Sequence, residues 1–314
     1  MNVLLSGVSK NEFSLNSRGS LRLTDVELII KDVLRKQQRL KELDPQLRLN
    51  TMVGLLRRQS SLPVAATTLR EGIGLDLPVL RSRGSKGKAF DHLVALVEGQ
   101  NIFVSQSVRN WMPQNLPPRA RFAGMCVRDK VVPFIFINSA DARGSLVPVG
   151  RQLLTLVLLT VCVARGKFHR VSYDDTADNL IDNFEYQLAE EVLMPGSEVK
   201  GWRVTSLEDI REHADTCAVT PSASLMRARR LRLVDQNTAS EWLQTLQEQF
   251  RALEPAPARA PKPVNALRKY NSAGYSRAFL RHYDEGRINA AEVVRYLFQN
   301  RLKAVAIASF RESL

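Results

Sequence analysis

Cysteine is scarce in this chain. Cys126, Cys162 and Cys217 are the only three in 314 residues. They are odd in number and form no C-x-x-C pair, so they support neither a disulfide framework nor a zinc knuckle, and the expected compartment is the reducing cytosol. Histidine is almost as rare. His92, His169, His213 and His282 include no pair at helical spacing, which excludes two metal-binding imidazoles on one helix face. Long apolar runs are missing too. The longest, Leu153 to Ala164, has 12 residues, against roughly 20 for a bilayer core. Met1 leads into a polar Ser/Asn/Lys stretch without the apolar centre of an export signal, so no membrane association is expected. No internal repeat is visible. With 44% hydrophobic and 25% charged residues the composition is that of an ordinary folded chain, long enough for about two domains.

What the chain does have is positive charge, a formal +13, placed unevenly. Residues 1–90 hold 16 basic and 8 acidic side chains, and 256–314 hold 11 and 4; the stretches 91–200 (11 and 12) and 201–255 (7 and 8) are close to neutral. Two basic ends flank a balanced middle. Such ends attract a polyanion through counterion release, and they equally serve solubility.

The apolar run reads as a helix over 148–165, buried on every side, with Pro148 in its first turn and Gly166 as its stop. Before it, NIFVSQSV (101–108), RFAGMCV (121–127) and VVPFIFIN (131–138) predict a hairpin and one neighbouring strand, with Pro133 at an edge or first-residue position. The N-terminal part reads as helical. Thr24-Asp25-Val26-Glu27 has capping-box form ahead of the Val26, Ile29, Ile30, Val33, Leu34 stripe; further helical segments are expected at about 48–59 and from Leu62 to Arg70. The basic loop RSRGSKGK (81–88) lacks the glycine spacing of a phosphate-binding loop and reads as solvated.

A helix is expected over 176–194, stopped by Pro195. Asp178, Asp182 and Glu185, preceded by Asp174 and Asp175, fall on its flank as a solvated acidic face in preference to a hard-cation site, which lacks a Gly-turn ligand loop, and Glu191 falls in the apolar stripe, where burial requires a partner. Three helices follow between 205 and 250, the middle one opened by Thr220-Pro221. That helix bears Arg227, Arg229, Arg230 and Arg232, as a nucleic-acid recognition helix would, or as cations paired with nearby carboxylates. Four prolines in 252–265 predict an extended linker. Beyond it come a helix at about 272–283 and another opened by Asn289 with Glu292; this tail is too small to stand alone and should dock.

In chain order, the hairpin ending in FIFINSADARGS, the buried helix with Arg151 near its start, the helix ending in AEEVLMP, the segment VTPSASLMRARRLRLV and the tail NSAGYSRAFLRHYDEGRINAAEVVRYL resemble the ImmA/IrrE family of metallopeptidases over roughly 65–314. The resemblance implies a zincin-like core and a zinc site of H-E-x-x-H type, two histidines holding the metal and the glutamate activating water. Here that motif is missing: Leu158 and Leu159 stand where the first histidine and the glutamate belong, Cys162 stands at the second histidine, and Asp182 falls at the third ligand. One thiol and one carboxylate do not make a catalytic zinc site.

The expected fold is therefore α+β and mainly helical, a small sheet of three or more strands packed on a buried helix. The expected organisation is a basic helical region (1–90), a degenerate zincin-like core (91–200), a helix-turn-helix-like subdomain (201–252), a proline-rich linker (253–265) and a basic helical tail (266–314). Arg151 and Glu191 are candidates for structural ion pairs. The expected function is that of a pseudopeptidase without catalytic residues, metal or cofactor. By kinship its partner is a protein such as a helix-turn-helix repressor, or a toxin or phage-related protein, bound without cleavage. Two alternatives stand beside it: a DNA-binding regulator using the basic ends and Arg227 to Arg232, and a zinc peptidase with a site rebuilt from Cys162, Asp182 and His169.

Overall fold

The computed structural model describes residues 13–17, 23–116, 122–139, 147–166, 171–172, 183–253 and 261–314. Among the described residues five strands form one sheet: β1 (Phe13–Ser17), β2 (Phe103–Gln106), β3 (Phe122–Val127), β4 (Phe134–Ile137) and β5 (Val171–Ser172), in the order β2-β4-β3-β1-β5. β3 and β4 are the expected antiparallel hairpin, and β2 lies parallel to β4. β1 pairs antiparallel with β3 and parallel with β5. Pro133 precedes β4, an interior strand, so it holds the first-residue position and not an edge; its carbonyl accepts from Phe103 N.

The sheet is covered on both faces, which is why β4 reads as an unbroken apolar run. Ile135, Ile137, Val104 and Cys126 turn to one face, into a core built from α2 (Leu62–Ile73), α4 (Lys86–Gly99), α5 (Val149–Arg165) and α6 (Phe184–Leu193). Phe134, Phe136, Phe103 and Met125 turn to the other, against α1 (Glu27–Leu43), α11 (Pro263–Asn271), α12 (Ala273–Asp284), α13 (Ala290–Tyr296) and α14 (Ile307–Glu312). The short helices α3 (Leu77–Arg81) and α7 (Gly196–Val199) join the first layer. The remaining three, α8 (Leu207–Thr216), α9 (Pro221–Arg230) and α10 (Gln236–Ala252), share a small core of their own around Ile210, Leu225 and Ala228.

Helix α5 is buried around its circumference, as its composition requires, and Gly166 closes it in the left-handed conformation at φ +64. Two glycines let it lie close to its neighbours. A Cβ on Gly124 would stand 2.7 Å from the Phe136 carbonyl and 2.9 Å from Leu159, and one on Gly150 would stand 2.5 Å from the Val219 carbonyl carbon, at the entry to α9.

Several expectations change. The Thr24 to Glu27 capping box does not form; α1 starts after Val26 with no side-chain cap, and Gln114 serves instead, accepting from Leu28 N and donating to the Thr24 and Asp25 carbonyls. Residues 48–59 are successive turns and not a helix, because their amides are drawn to the end of α5: Gly54 N donates to Val163 O and Leu56 N to Ala164 O. α4 runs through the expected boundary at residue 90, and α11 begins at Pro263, inside the expected linker. The tail docks on the body: it shares a core with α1 and the sheet, and the Asn289/Glu292 capping box that opens α13 is present as expected. Of the helix expected over 176–194, Phe184–Leu193 is seen; Asp174, Asp175, Asp178 and Asp182 lie outside the described residues.

Candidate functional site

On α5 the three positions that the resemblance assigns to H-E-x-x-H are sealed in the core: Leu158 is 1% exposed, and Leu159 and Cys162 are fully buried. Leu159 and Thr155, one turn apart, face Gly124 of β3, so this side of the helix seats directly on the sheet. One turn beyond Cys162, Arg165 reaches the neighbouring helix: its Nε lies 3.5 Å from a Glu185 carboxylate oxygen and its guanidinium 4.7 Å from the Phe184 ring centre. Glu185 is thus buried and paired with a cation, not part of a solvated acidic face. Asp182 and His169 lie outside the described residues. Among the described residues no group of three or more His, Cys, Asp or Glu side chains could hold a metal ion.

The three described histidines stand apart, each with its own neighbours. His92 faces Arg83, and burial together with that guanidinium holds its pKa below the usual imidazole value. His213 stacks on Trp202 at 4.2 Å, and His282 stands 3.6 Å from Glu285.

Next to α5 lies a four-membered ionic network joining α6 to α9. Arg227, 2% exposed, pairs with Glu191, lies 3.9 Å from Glu190, and donates from Nε to the Met194 carbonyl at 3.1 Å. Arg230 Nε donates to Glu190 at 2.9 Å, and Gly196 N donates to Glu191 at 3.0 Å. Two carboxylates meet two guanidinium groups, so the charge balances inside the protein. Burial still dominates at Glu190 and raises its pKa, with Arg230 and then Arg227 opposing.

This network settles the role of two arginines. Arg227 and Arg230 point inward to glutamates and do not form a groove-reading surface; Arg229 is half-buried, and Arg232 alone of the four is exposed, just past the end of α9. Glu191 is paired, as a buried acid on the apolar stripe has to be. Arg151 sits half-buried in the first turn of α5.

Two further buried polar clusters went unread in the sequence. In the first, Lys36, 3% exposed, lies 2.9 Å from Asp32 and 4.2 Å from the Tyr270 ring centre, while Tyr270 donates its hydroxyl to Asp32 at 2.7 Å. Burial is the largest influence on both charges: it lowers the Lys36 pKa, whereas at Asp32 the opposing pull of Lys36 and the Tyr270 hydroxyl leaves the pKa low. A sign was available, because Lys36 follows Ile29 by seven residues and precedes Leu40 by four, which puts it in the middle of the α1 apolar stripe. In the second, buried Glu98 accepts from Ser272 Oγ, from Gly274 N (2.8 Å) and from Val104 N (3.4 Å), capping the start of α12 from outside; burial raises its pKa.

No family model matches the chain, and neither the curated proteins nor the solved structures contain a match to it.

Proposed function

We propose that this chain is a non-catalytic protein of ImmA/IrrE type, a pseudopeptidase that binds a protein partner without cutting it. One observation carries the reading: the helix face that the resemblance assigns to the zinc and its activated water is apolar and closed, with Leu158, Leu159 and Cys162 packed in the core. An isobutyl group cannot take a proton from water, and a lone thiol offers one ligand where catalysis needs three. Filling such a position with buried leucines stabilises the core by roughly 1.5–3 kcal/mol per side chain. The same balance is kept around it, since every charge of the adjoining Glu190, Glu191, Arg227 and Arg230 network has its counter-charge within the protein.

The partner class rests on the resemblance alone: a helix-turn-helix repressor, or a toxin or phage-related protein. The test is to mix the purified chain with the helix-turn-helix protein encoded nearest to it, with and without added zinc, and to follow co-elution and fragment size. Co-elution at full length with either buffer supports the reading. Chelator-sensitive fragments would establish a peptidase instead, and separate elution at full length would remove this partner.

A further inference from the structure

The basic tail shares a layer with one part of the basic N-terminal region, helix α1, whereas α2, α3 and α4 lie in the other layer. Helix α1 and helices α11 to α14 lie on the same face of the sheet and share one core, although more than 200 residues of chain separate them. Three contacts tie them: buried Tyr270 to Asp32 at 2.7 Å, half-buried Arg39 to Glu292, and exposed Arg287 to the Leu43 carbonyl at 3.2 Å. Residues 261–314 bring 10 basic and 4 acidic side chains to this layer. Three of the acids are already taken, Asp284 by Arg311, Glu285 by Arg287 and Glu292 by Arg39. What is left over is cationic. Lys262 at the N-cap of α11, Lys269 on α11, Arg281 on α12, Arg295 on α13, Lys303 and, past α1, Arg48 are exposed, and among the described residues no carboxylate pairs with them.

We propose that this layer is a phosphate-binding surface for duplex DNA, contacted through its backbone and without base reading. Lys262, the N-cap of α11, and Lys269 in its last turn place two of these charges at the two ends of one helix. Leu267, Tyr270, Phe279, Leu280, Val293 and Leu297 are turned into the core, and the large apolar side chains exposed in this layer, Leu28 on α1 and Val305 before α14, stand singly. That leaves no apolar stripe to enter a bilayer, which a membrane-surface helix requires. A strong local excess of Lys and Arg on a rigid helical layer is the arrangement that releases counterions from a polyphosphate. The surface lies across the sheet from α5, so it stands or falls independently of the partner reading above.

The experiment is fluorescence anisotropy with a short duplex of arbitrary sequence, titrated at 50 and 200 mM salt. If about five phosphates are engaged, the affinity falls about 500-fold between the two, at a log-log slope near −4.5. The triple variant K269Q/R281Q/R295Q lowers that slope by about 2.7, and the single variants K269Q and R295Q lower it by about 0.9 each, so a folding defect in the triple leaves the test intact. R232Q, on the other side of the sheet, leaves the slope unchanged. The proposal is overturned by no binding at 50 mM salt, by single variants that keep the full slope, by a slope that depends on Arg232, or by binding to phosphatidylserine vesicles in place of DNA.

Discussion

Replacing Arg227 by alanine separates a structural arginine from a nucleic-acid-binding one. The side chain is 2% exposed and pairs with Glu191, stands 3.9 Å from Glu190 and donates to the Met194 carbonyl. Truncation removes all three interactions at once. Among the described residues Glu191 then keeps the Gly196 amide and Glu190 keeps Arg230, so a buried carboxylate is left short of the counter-charge that Arg227 supplies. Losing one partner of a buried ion pair costs about 3–5 kcal/mol, because the remaining charge is stranded in a medium that solvates it poorly. Against a total stability of about 5–15 kcal/mol for a folded protein, that is roughly a fifth or more of what holds the chain together. Urea unfolding followed by circular dichroism and tryptophan fluorescence measures it directly. The loss should appear as a lower midpoint, while the affinity for duplex DNA of the fraction still folded stays unchanged. A loss below about 1 kcal/mol, the range of a solvated surface pair, would refute the reasoning, as would wild-type stability with weakened DNA binding.

Three other substitutions probe the packing and the charge. Gly124→Ala puts a methyl within 2.7 Å of the Phe136 carbonyl and 2.9 Å of Leu159, so α5 has to lift from the sheet; a loss of about 1–3 kcal/mol in thermal or urea unfolding is expected, and an unchanged midpoint would show that the helix is not seated there. Glu98→Gln tests linkage. The folded-state pKa of Glu98 is raised by burial, so its contribution is full below the ordinary carboxylate pKa and fades as pH rises through the folded value. Wild type should therefore lose stability relative to E98Q as pH increases across that window, and a difference that grows in favour of wild type would reverse the assignment. At Asp32 the pKa is lowered, with Lys36 and the Tyr270 hydroxyl overcoming burial, so the sign is opposite: its contribution is present above the ordinary carboxylate pKa and lost as pH falls through the folded one. Unfolding of Asp32→Asn against wild type should show a gap that closes in acid; a gap independent of pH would contradict the pairing.

Much of this fold can be read from local pattern. The apolar run VVPFIFIN gives a strand of the hairpin, the all-apolar run before Gly166 gives the central helix, and Thr220-Pro221 and Asn289 with Glu292 mark helix starts that the structure bears out. What escaped reading depends on contacts far apart in the chain. β1 is a polar FSLNS segment whose partner, β3, lies more than 100 residues on, and nothing local in it announces a strand. Glu98 looks like an exposed acid at a helix end until Ser272 and Gly274 arrive from the tail. Residues 48–59 carry helical spacing, yet the last carbonyls of α5 offer their amides a better partner than a helix of their own. At the candidate site, the apolar character of positions 158, 159 and 162 is plain in the sequence, whereas the inward turn of Arg227 and Arg230 requires knowing that α6 and α9 meet.

The most direct test of the central claim is the metal content of the purified full-length chain, dialysed against zinc and then against metal-free buffer, measured beside Cys162→Ala. A chain whose helix α5 is closed by Leu158, Leu159 and Cys162 retains no stoichiometric zinc, and the substitution changes nothing in that number. One equivalent of zinc per chain, lost on replacing Cys162, would mean that the helix still holds a metal and that the account is wrong.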